Sequence, residues 1–262
     1  MKVSVITVSF NSARTIEETI KSVISQKEVE IEYIVIDGNS TDTTHSILSR
    51  YESSFSQLII EKDDGIYDAM NKGIRLSSGD IVCLLNSDDI FSASDVLSKV
   101  RDNFLSHPEL SAVLSDVGHC KNKSDLVRVD RLVSAKYFSP WKMRFGFNPP
   151  HPGMFLRSSV YEKYGLFRQD FKTGADLEFM VRLFCKKRIS YLKVDLCSVI
   201  MRDGGVSTRG WRSFHQNTKE MSRACKVNDI RTNYVVLLMR LPIKWFFQRI
   251  IFKIKRLNQE DF

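Results

Sequence analysis

The chain's 262 residues and 43% hydrophobic content suit one large α/β domain or two small ones with a substantial core, and they exclude a disordered or fibrous protein. Lysine and arginine number 39 against 31 aspartate and glutamate, a formal charge of +8 that points to an anionic partner without naming it. No window offers the roughly 18 uninterrupted apolar residues of a membrane span, and the five cysteines (Cys83, Cys120, Cys185, Cys197, Cys225) lack C-x-x-C spacing and read as reduced thiols of the cytoplasm.

The opening M-K-V-S-V-I-T-V-S-F is too short an apolar run for a signal peptide, has no small-residue cleavage site, and reads as a first strand. β-Branched runs at 3–8, 33–36, 58–60 and 81–85 predict four strands. Between the first two, Ile16, Ile20, Val23 and Ile24 keep helical spacing after an Asn11/Ser12 cap. Strands alternating with helices imply a parallel sheet covered on both faces, with its ligand site at the carboxyl ends of the strands. Each expected strand ends in a polar cluster: Asn11, then I-D-G-N-S-T-D (36–42), D-D-G-I-Y-D (63–68) and N-S-D-D (86–89). Any one could be a turn. Four on one rim would repel each other unless cations or hydrogen-bonded ligands fill the gap. No G-x-G-x-x-G or G-x-x-x-x-G-K-S/T follows a strand, which excludes dinucleotide and P-loop sites.

The region from about 103 to 231 is less regular, with Pro140, Pro149, Pro150 and Pro152 marking loops. W-K-M-R-F-G-F-N-P-P-H-P-G (141–153) mixes aromatics and cations as a sugar-binding wall does, or as an aromatic loop packed on the core does. K-T-G-A-D-L-E-F-M-V-R-L-F (172–184) predicts a helix with Leu177, Met180, Val181 and Phe184 inward and Asp176 at its mouth. Six cations and no carboxylate lie between Arg240 and Arg256, where Ile243, Phe247, Ile250, Ile251, Ile254 and Leu257 share one helical face. Such a tail suits the headgroup region of an anionic bilayer, or a helix docked on the protein's own core.

Taken in order, T-V-S-F-N (7–11), I-D-G-N-S-T-D (36–42), D-D-G-I-Y-D-A-M-N-K-G (63–73), L-N-S-D-D (85–89), H-P-G-M-F-L-R (151–157) and G-A-D-L-E-F (174–179) resemble the bacterial glycosyltransferase family 2. That family comprises inverting enzymes of the GT-A fold that build surface polysaccharides from nucleotide-activated sugars. The resemblance implies that Thr7 and Phe10 flank the base, that Asn11 and Lys72 belong to the donor pocket, and that Asp37 and Asp64 hydrogen-bond uracil or its ribose. Carboxylate acceptors suit uracil N–H, so the implied nucleotide is UDP. Turn chemistry is the alternative for both aspartates. The resemblance places Ser87 and Asp88 near the ribose, and Asp88 or Asp89 as direct ligand to Mg²⁺ or Mn²⁺ bridging the diphosphate. Asn86, also implied in nucleotide-sugar binding, stands where many relatives carry Asp. Asp176 corresponds to the catalytic base, with Glu178 in reserve and a helix cap as the alternative role. His151 contacts the acceptor or leaving phosphate, or is structural, and R-D-G-G-V-S (202–207) resembles a closing loop.

The expected fold is therefore α/β, a GT-A domain with a Rossmann-like, mostly parallel sheet over 1–231 and an amphipathic helical tail over 232–262. Residues 1–100 form the expected nucleotide-binding half and 101–231 the acceptor-binding half. The implied reaction moves one hexose or N-acetylhexosamine from a UDP-sugar to a polyprenyl-diphosphate-linked glycan of O-antigen, capsule or exopolysaccharide. It takes place at the inner face of the cytoplasmic membrane, with the chain attached peripherally through the tail. T-R-G-W-R (208–212) does not match the Q-x-x-R-W of processive relatives, so one sugar is expected per encounter. A non-catalytic nucleotide-sugar or glycan-binding subunit is the alternative, with Asn86 as its foothold. A nucleic-acid binder is disfavoured by the acidic rim.

Overall fold

The computed structural model describes residues 1–120, 129–202 and 210–238. In chain order it contains β1 (Lys2–Ser9), α1 (Ile16–Ile24), β2 (Glu30–Asp37), α2 (Thr44–Arg50), β3 (Gln57–Ile60), α3 (Ile66–Leu76), β4 (Ile81–Leu84), β5 (Asp89–Phe91) and α4 (Val96–Ser106). Then follow β6 (Ala112–Cys120), β7 (Arg131–Val133), β8 (Met154–Arg157), α5 (Ser158–Tyr164), α6 (Ala175–Met180), β9 (Tyr191–Arg202), α7 (Gly210–Val227) and α8 (Tyr234–Leu238). The described strands form one sheet in the order β3-β2-β1-β4-β8-β6-β9-β5, with β7 paired to the outer part of β6.

The four strands expected from the β-branched runs are present, and β3, β2, β1 and β4 run parallel. Strand alternation then builds two cores. Val3 and Val5 of β1, Tyr33 and Val35 of β2, and Ile81 and Cys83 of β4 pack on one face with α1 and α4. Ile6, Val8, Ile34, Ile36, Val82 and Leu84 pack on the other with α3, α5 and α6. The second half departs from a purely parallel sheet. Strand β8 enters antiparallel between β4 and β6, β9 runs parallel to β6, and β5 returns antiparallel to β9. Because β5 belongs to the first hundred residues and pairs with β9, the sheet runs without a break across residue 100.

Two local expectations are corrected. The Asn11/Ser12 side chains do not cap α1, whose N-cap position is Thr15. Instead the Ser12 carbonyl accepts from the Thr15 and Ile16 amides, each at 3.0 Å. The 172–184 helix is shorter at its start and changes pitch: α6 passes at Val181 into a π-helical turn over Val181–Lys186. Of the expected tail, α8 lies within the described residues, with Leu237 fully buried in the core and the Tyr234 hydroxyl on His215. The amphipathic face from Ile243 onward lies outside them.

Gly153, just before β8, is where the second half is pressed against the sheet. A Cβ there would stand 2.5 Å from the Ser115 carbonyl oxygen and 2.9 Å from Ser115 Oγ, which donates to the Gly153 carbonyl at 3.0 Å. Backbone cannot yield as a flexible side chain does. Gly153→Ala is therefore expected to destabilise the fold by about 1–3 kcal/mol, read as a lower urea midpoint at unchanged m-value.

Candidate active site

The topology gathers the polar clusters on one rim. Strands β1 to β4 end there at Ser9, Asp37, Ile60 and Leu84, and parallel register aligns Ser9 with Asp37 and Asp37 with Ile60. Antiparallel pairing sets Cys83 against Phe155 and Ile81 against Arg157, so the start of β8 lies beside the end of β4. His151 is thereby delivered to the neighbourhood of N-S-D-D. Strand β9 runs toward the same rim and ends at Arg202.

At the end of β2, Asp37 is fully buried. Its Oδ2 accepts from the hydroxyls of Ser9 at 2.6 Å and Ser40 at 2.7 Å, while Oδ1 accepts from the Ser40 amide at 2.8 Å. His45 Nε2 stands 2.8 Å from Oδ1. Burial alone would raise the carboxyl, but these hydrogen bonds outweigh it and hold the group below the ordinary carboxylate range. Asp37 thus braces the loop after β2 through the amide and hydroxyl of Ser40, joined by a histidine that sequence reading passed over. Asn11, at φ +50°, takes up the next loop: its Oδ1 accepts the Thr41 amide at 2.8 Å and its own amide donates to Ser40 Oγ at 2.8 Å.

Thr7 does not reach this rim. It is fully buried on the α1-side face of the sheet, where its hydroxyl accepts from Tyr33 at 3.2 Å. Period two explains the burial, since Thr7 shares the face of Val3 and Val5. Phe10, one residue beyond β1, is 61% exposed. Its ring and Asp63 both lean on Gly38, where a Cβ would stand 2.5 Å from Asp63 Oδ2 and 3.4 Å from Phe10 Cδ2. An open aromatic face and a carboxylate over a bare glycine make a surface on which a flat ring can stack. Asp64 is exposed next door, its amide on Asp68 Oδ2 at 3.2 Å, and Lys72 pairs with Glu61 at 2.8 Å and Asp68 at 3.3 Å.

In N-S-D-D the Ser87 hydroxyl meets Ser12 Oγ at 2.7 Å. Asp89 is 1% exposed and begins β5, whereas Asp88 is half-buried at the rim. Asn86 Nδ2 donates to Asp89 Oδ2 at 3.2 Å, but Asn86 Oδ1 and Asp89 Oδ1 are buried without a partner. Burial and the adjacent Asp88 charge push the Asp89 carboxyl well above its ordinary value. Arg202 supplies a buried cation here: its Nη1 donates to the Asp88 carbonyl at 3.5 Å, another N–H pairs with Glu18, and its Nε is orphaned. Among the described residues no three His, Cys, Asp or Glu side chains are placed so that together they could hold a metal ion. The donors present are hard oxygens, which suit a divalent cation that completes its shell with phosphate oxygens and water. Beyond Arg202, the expected closing loop 203–207 lies outside the described residues.

Facing this, Asp176 occupies the first turn of α6, whose N-cap position is Gly174. Its Oδ1 accepts from the Tyr67 hydroxyl at 2.9 Å. Tyr67, buried near the start of α3, is held far up in pKa by burial and the Asp176 charge, so it stays a donor. Within the field of Asp176, His151 sets its ring edge-on to Phe167 at 5.8 Å. Burial lowers its pKa and Asp176 opposes that, with burial winning. Tyr67 lies inside D-D-G-I-Y-D, but nothing in its spacing marked it. Glu178 is drawn away. Two residues on from Asp176 it turns to the opposite side of α6, is 1% exposed, and binds Arg182 at 2.8 and 3.2 Å and Asn228 at 3.0 Å. A buried, fully paired carboxylate is a strut, not a base in reserve.

The family model for glycosyl transferase family 2 matches residues 4–170. The chain belongs to that family. An uncharacterized glycosyltransferase of Mycobacterium tuberculosis strain H37Rv is 38% identical over 182 residues, 69% of this chain and 68% of its own length. Among solved structures, S. aureus TarS 1–349 in complex with UDP-GlcNAc superposes with a TM-score of 0.68 at 18% identity, covering 90% of this chain and 70% of that one. The chain spans only 39% of the longer TarS chain. The mannosyltransferase PcManGT from Pyrobaculum calidifontis, in complex with GDP-Man and Mn²⁺, superposes at 0.62 with 19% identity, covering 88% and 65%. The fold is GT-A: a curled, mixed but largely parallel sheet flanked by helices. Among the described residues no helix is long and apolar enough to cross a membrane.

His151 gives the site a pH signature. Its folded pKa lies below the ordinary imidazole value, so between the two values the unfolded chain binds more protons than the folded one. Stability therefore falls as pH drops through the imidazole range, from about 7 toward 5, and this contribution levels off below the folded-state value. His151→Gln is expected to flatten that part of the profile of urea midpoint against pH, whatever its effect on the height of the curve.

Proposed function

We propose that this glycosyltransferase is a metal-dependent, inverting, non-processive enzyme. It moves one hexose or N-acetylhexosamine from a UDP-sugar to a glycan carried on polyprenyl diphosphate. The product belongs to O-antigen, capsule or exopolysaccharide synthesis at the inner face of the cytoplasmic membrane, where the basic tail attaches the chain. The observation that carries the reading is the pairing of Asp176 with Tyr67 across the rim from N-S-D-D. A base and a diphosphate-binding loop face one gap.

In this reading Phe10 and Asp63 flank the base over Gly38, and Asp64 lies within reach of the ribose. Tyr67 holds Asp176 Oδ1, which leaves Oδ2 for the acceptor hydroxyl. As the acceptor oxygen bonds to the anomeric carbon, its proton passes to Asp176 and the bond from that carbon to the UDP oxygen breaks. A single displacement inverts the anomeric centre. His151, kept neutral by burial, contributes a hydrogen bond to the acceptor or leaving group and adds no cation beside the base. Asp88, with oxygen from Asn86 or Asp89, would hold a divalent ion, which neutralises charge on the departing diphosphate when bound. Arg202 adds a second positive group on that side.

Asp176→Asn should leave calorimetric UDP-sugar binding close to the parent value and lower transfer about a hundred- to ten-thousand-fold. Equal loss of binding and rate would make Asp176 a structural residue. For Asp88→Asn the expected defect lies in donor affinity and in the Mn²⁺ concentration needed for half-maximal transfer, with EDTA abolishing parent activity. Transfer at the parent rate in both Asp88→Asn and EDTA would remove the ion from the scheme.

A further inference from the structure

Outside the site, the largest unexplained feature is a cationic, aromatic surface on the acceptor side. Between Arg131 and Tyr161 the sequence carries Arg131, Lys136, Lys142, Arg144 and Arg157 and no carboxylate. Within that run the two most exposed large hydrophobic side chains are Tyr137 at 71% and Trp141 at 59%. They stand four residues apart: Tyr137 lies in the turn before the 3-10 helix Pro140–Phe145, and Trp141 is its second residue, ring edge-on to Phe145 at 5.8 Å. Lys142 Nζ donates to the Tyr137 carbonyl at 2.7 Å and lies 6.0 Å from the Trp141 ring. Lys193 of β9 ties the base of the surface by donating to the Lys136 and Phe138 carbonyls at 3.0 and 3.3 Å. Phe138 turns inward onto Phe184 and Tyr191, so the aromatics beside it are outward by construction.

A second acid-free run meets this one. From Ile230 to Gln259 the sequence has seven lysines and arginines and no carboxylate. Its start is pinned to the same turn, where Thr232 Oγ1 donates to the Arg144 carbonyl at 2.5 Å. Val235 on α8 is 67% exposed, and α8 packs against the Pro140–Phe145 turn. The described start of the second run, residues 230–238, thus adjoins the first. Around them, Asp116 is buried beneath Ser134 and Ala135 and accepts from both, Asp195 is exposed two positions on from Lys193, and Asp229, just before the second run, pairs with Lys186 at 2.9 Å.

From this juxtaposition we infer that the surface of Tyr137, Trp141, Lys136, Lys142, Arg144 and Val235 is a docking face for an anionic lipid bilayer, contributed by the folded domain and the α8 that packs on it and independent of the amphipathic face from Ile243 onward. Amphipathic rings standing out beside cations fit the headgroup layer, where Trp and Tyr gain apolar contact and lysines meet lipid phosphate. The placement also orients the enzyme. The loop that points Trp141 outward returns, ten residues later, to set His151 in the site, so a membrane at this face brings a lipid-carried acceptor to the acceptor side of the rim. The purpose rests on the lipid-linked acceptor of the proposed function, but the binding does not, and vesicle partition without any sugar keeps the two apart.

The test is co-sedimentation of the full chain with vesicles of phosphatidylcholine alone or mixed with phosphatidylglycerol. It compares the parent with Tyr137→Ala/Trp141→Ala, with Lys136→Gln/Lys142→Gln, and with a chain ending after Leu238. Binding should require phosphatidylglycerol and weaken with salt. Each lysine removed should lower the partition coefficient about fivefold, and the aromatic pair should lower it at least as much. The chain ending at Leu238 should retain measurable anionic binding that the Tyr137/Trp141 change then abolishes. Unchanged melting temperature and UDP-sugar hydrolysis in the four-residue set confirm intact folding. Parent-level binding by both paired variants would overturn the inference, as would binding indifferent to phosphatidylglycerol, or complete loss on ending at Leu238. Preferential binding of a single-stranded oligonucleotide at this face would assign it to another partner.

Discussion

The site depends on the antiparallel entry of β8 between β4 and β6. In the parallel half of the sheet every loop after a strand arrives at the same rim, which is why Asn11, Asp37, Asp63 and N-S-D-D converge. A further parallel strand beside β4 would have carried its own following loop there and left its preceding one at the far edge. By reversing direction, β8 presents the segment that precedes it, and His151 with Gly153 comes to lie next to the end of β4. The close approach of Gly153 to the Ser115 backbone is the steric consequence. With β8 in place, α5 and α6 follow on the α3 side of the sheet, and Asp176 meets Tyr67.

Crowding carboxylates on one rim demands that each be answered, and the fold answers them unequally. Asp37 receives four donors and behaves as a fixed anion. Glu178 is closed off by Arg182 and Asn228. Asp176 has one donor on one oxygen, from a tyrosine too weakly acidic to ionise. Asp89 has one donor and an orphaned oxygen in a fully buried position. Saturated carboxylates hold the frame, while undersatisfied ones carry a desolvation cost that only a ligand offsets. By that contrast Asp176 and Asp89 are the carboxylates the fold leaves least answered, while Asp37 braces the loop that Asn11 and Ser40 share.

Much of this was legible in the residues because strands of a parallel sheet, buried on both faces, are nearly continuous apolar runs, and their polar ends stand out against them. The runs at 3–8 and 33–36 became β1 and β2 with one or two residues added at most ends. Other features escaped for reasons that can be named. Thr7 looked like part of a terminal motif, but its parity with Val5 sends it inward. Tyr67 and His45 owe their roles to partners 109 and 8 positions away, and no local spacing encodes the first of these. Glu178 differs from Asp176 by two helical positions, enough to reverse its face. The turn of β8 is a tertiary choice, since M-F-L-R is as fit for a parallel strand as for an antiparallel one.

Asn86 is the residue that most invites a non-catalytic reading, and its surroundings argue the other way. Asp88 and Asp89 are adjacent, and burial of Asp89 beside the Asp88 charge already drives that carboxyl well above its ordinary value. A third carboxylate at position 86 would add repulsion within the same few ångströms. The amide avoids that and does two things a carboxylate could not do together: Nδ2 donates to Asp89 Oδ2 while Oδ1 remains a buried oxygen with no partner. An orphaned amide oxygen, an orphaned carboxylate oxygen and an orphaned Arg202 N–H around one loop form a set of both signs. Buried polar atoms left without partners on this scale carry a desolvation cost that a loop whose only task was to turn the chain has no reason to bear.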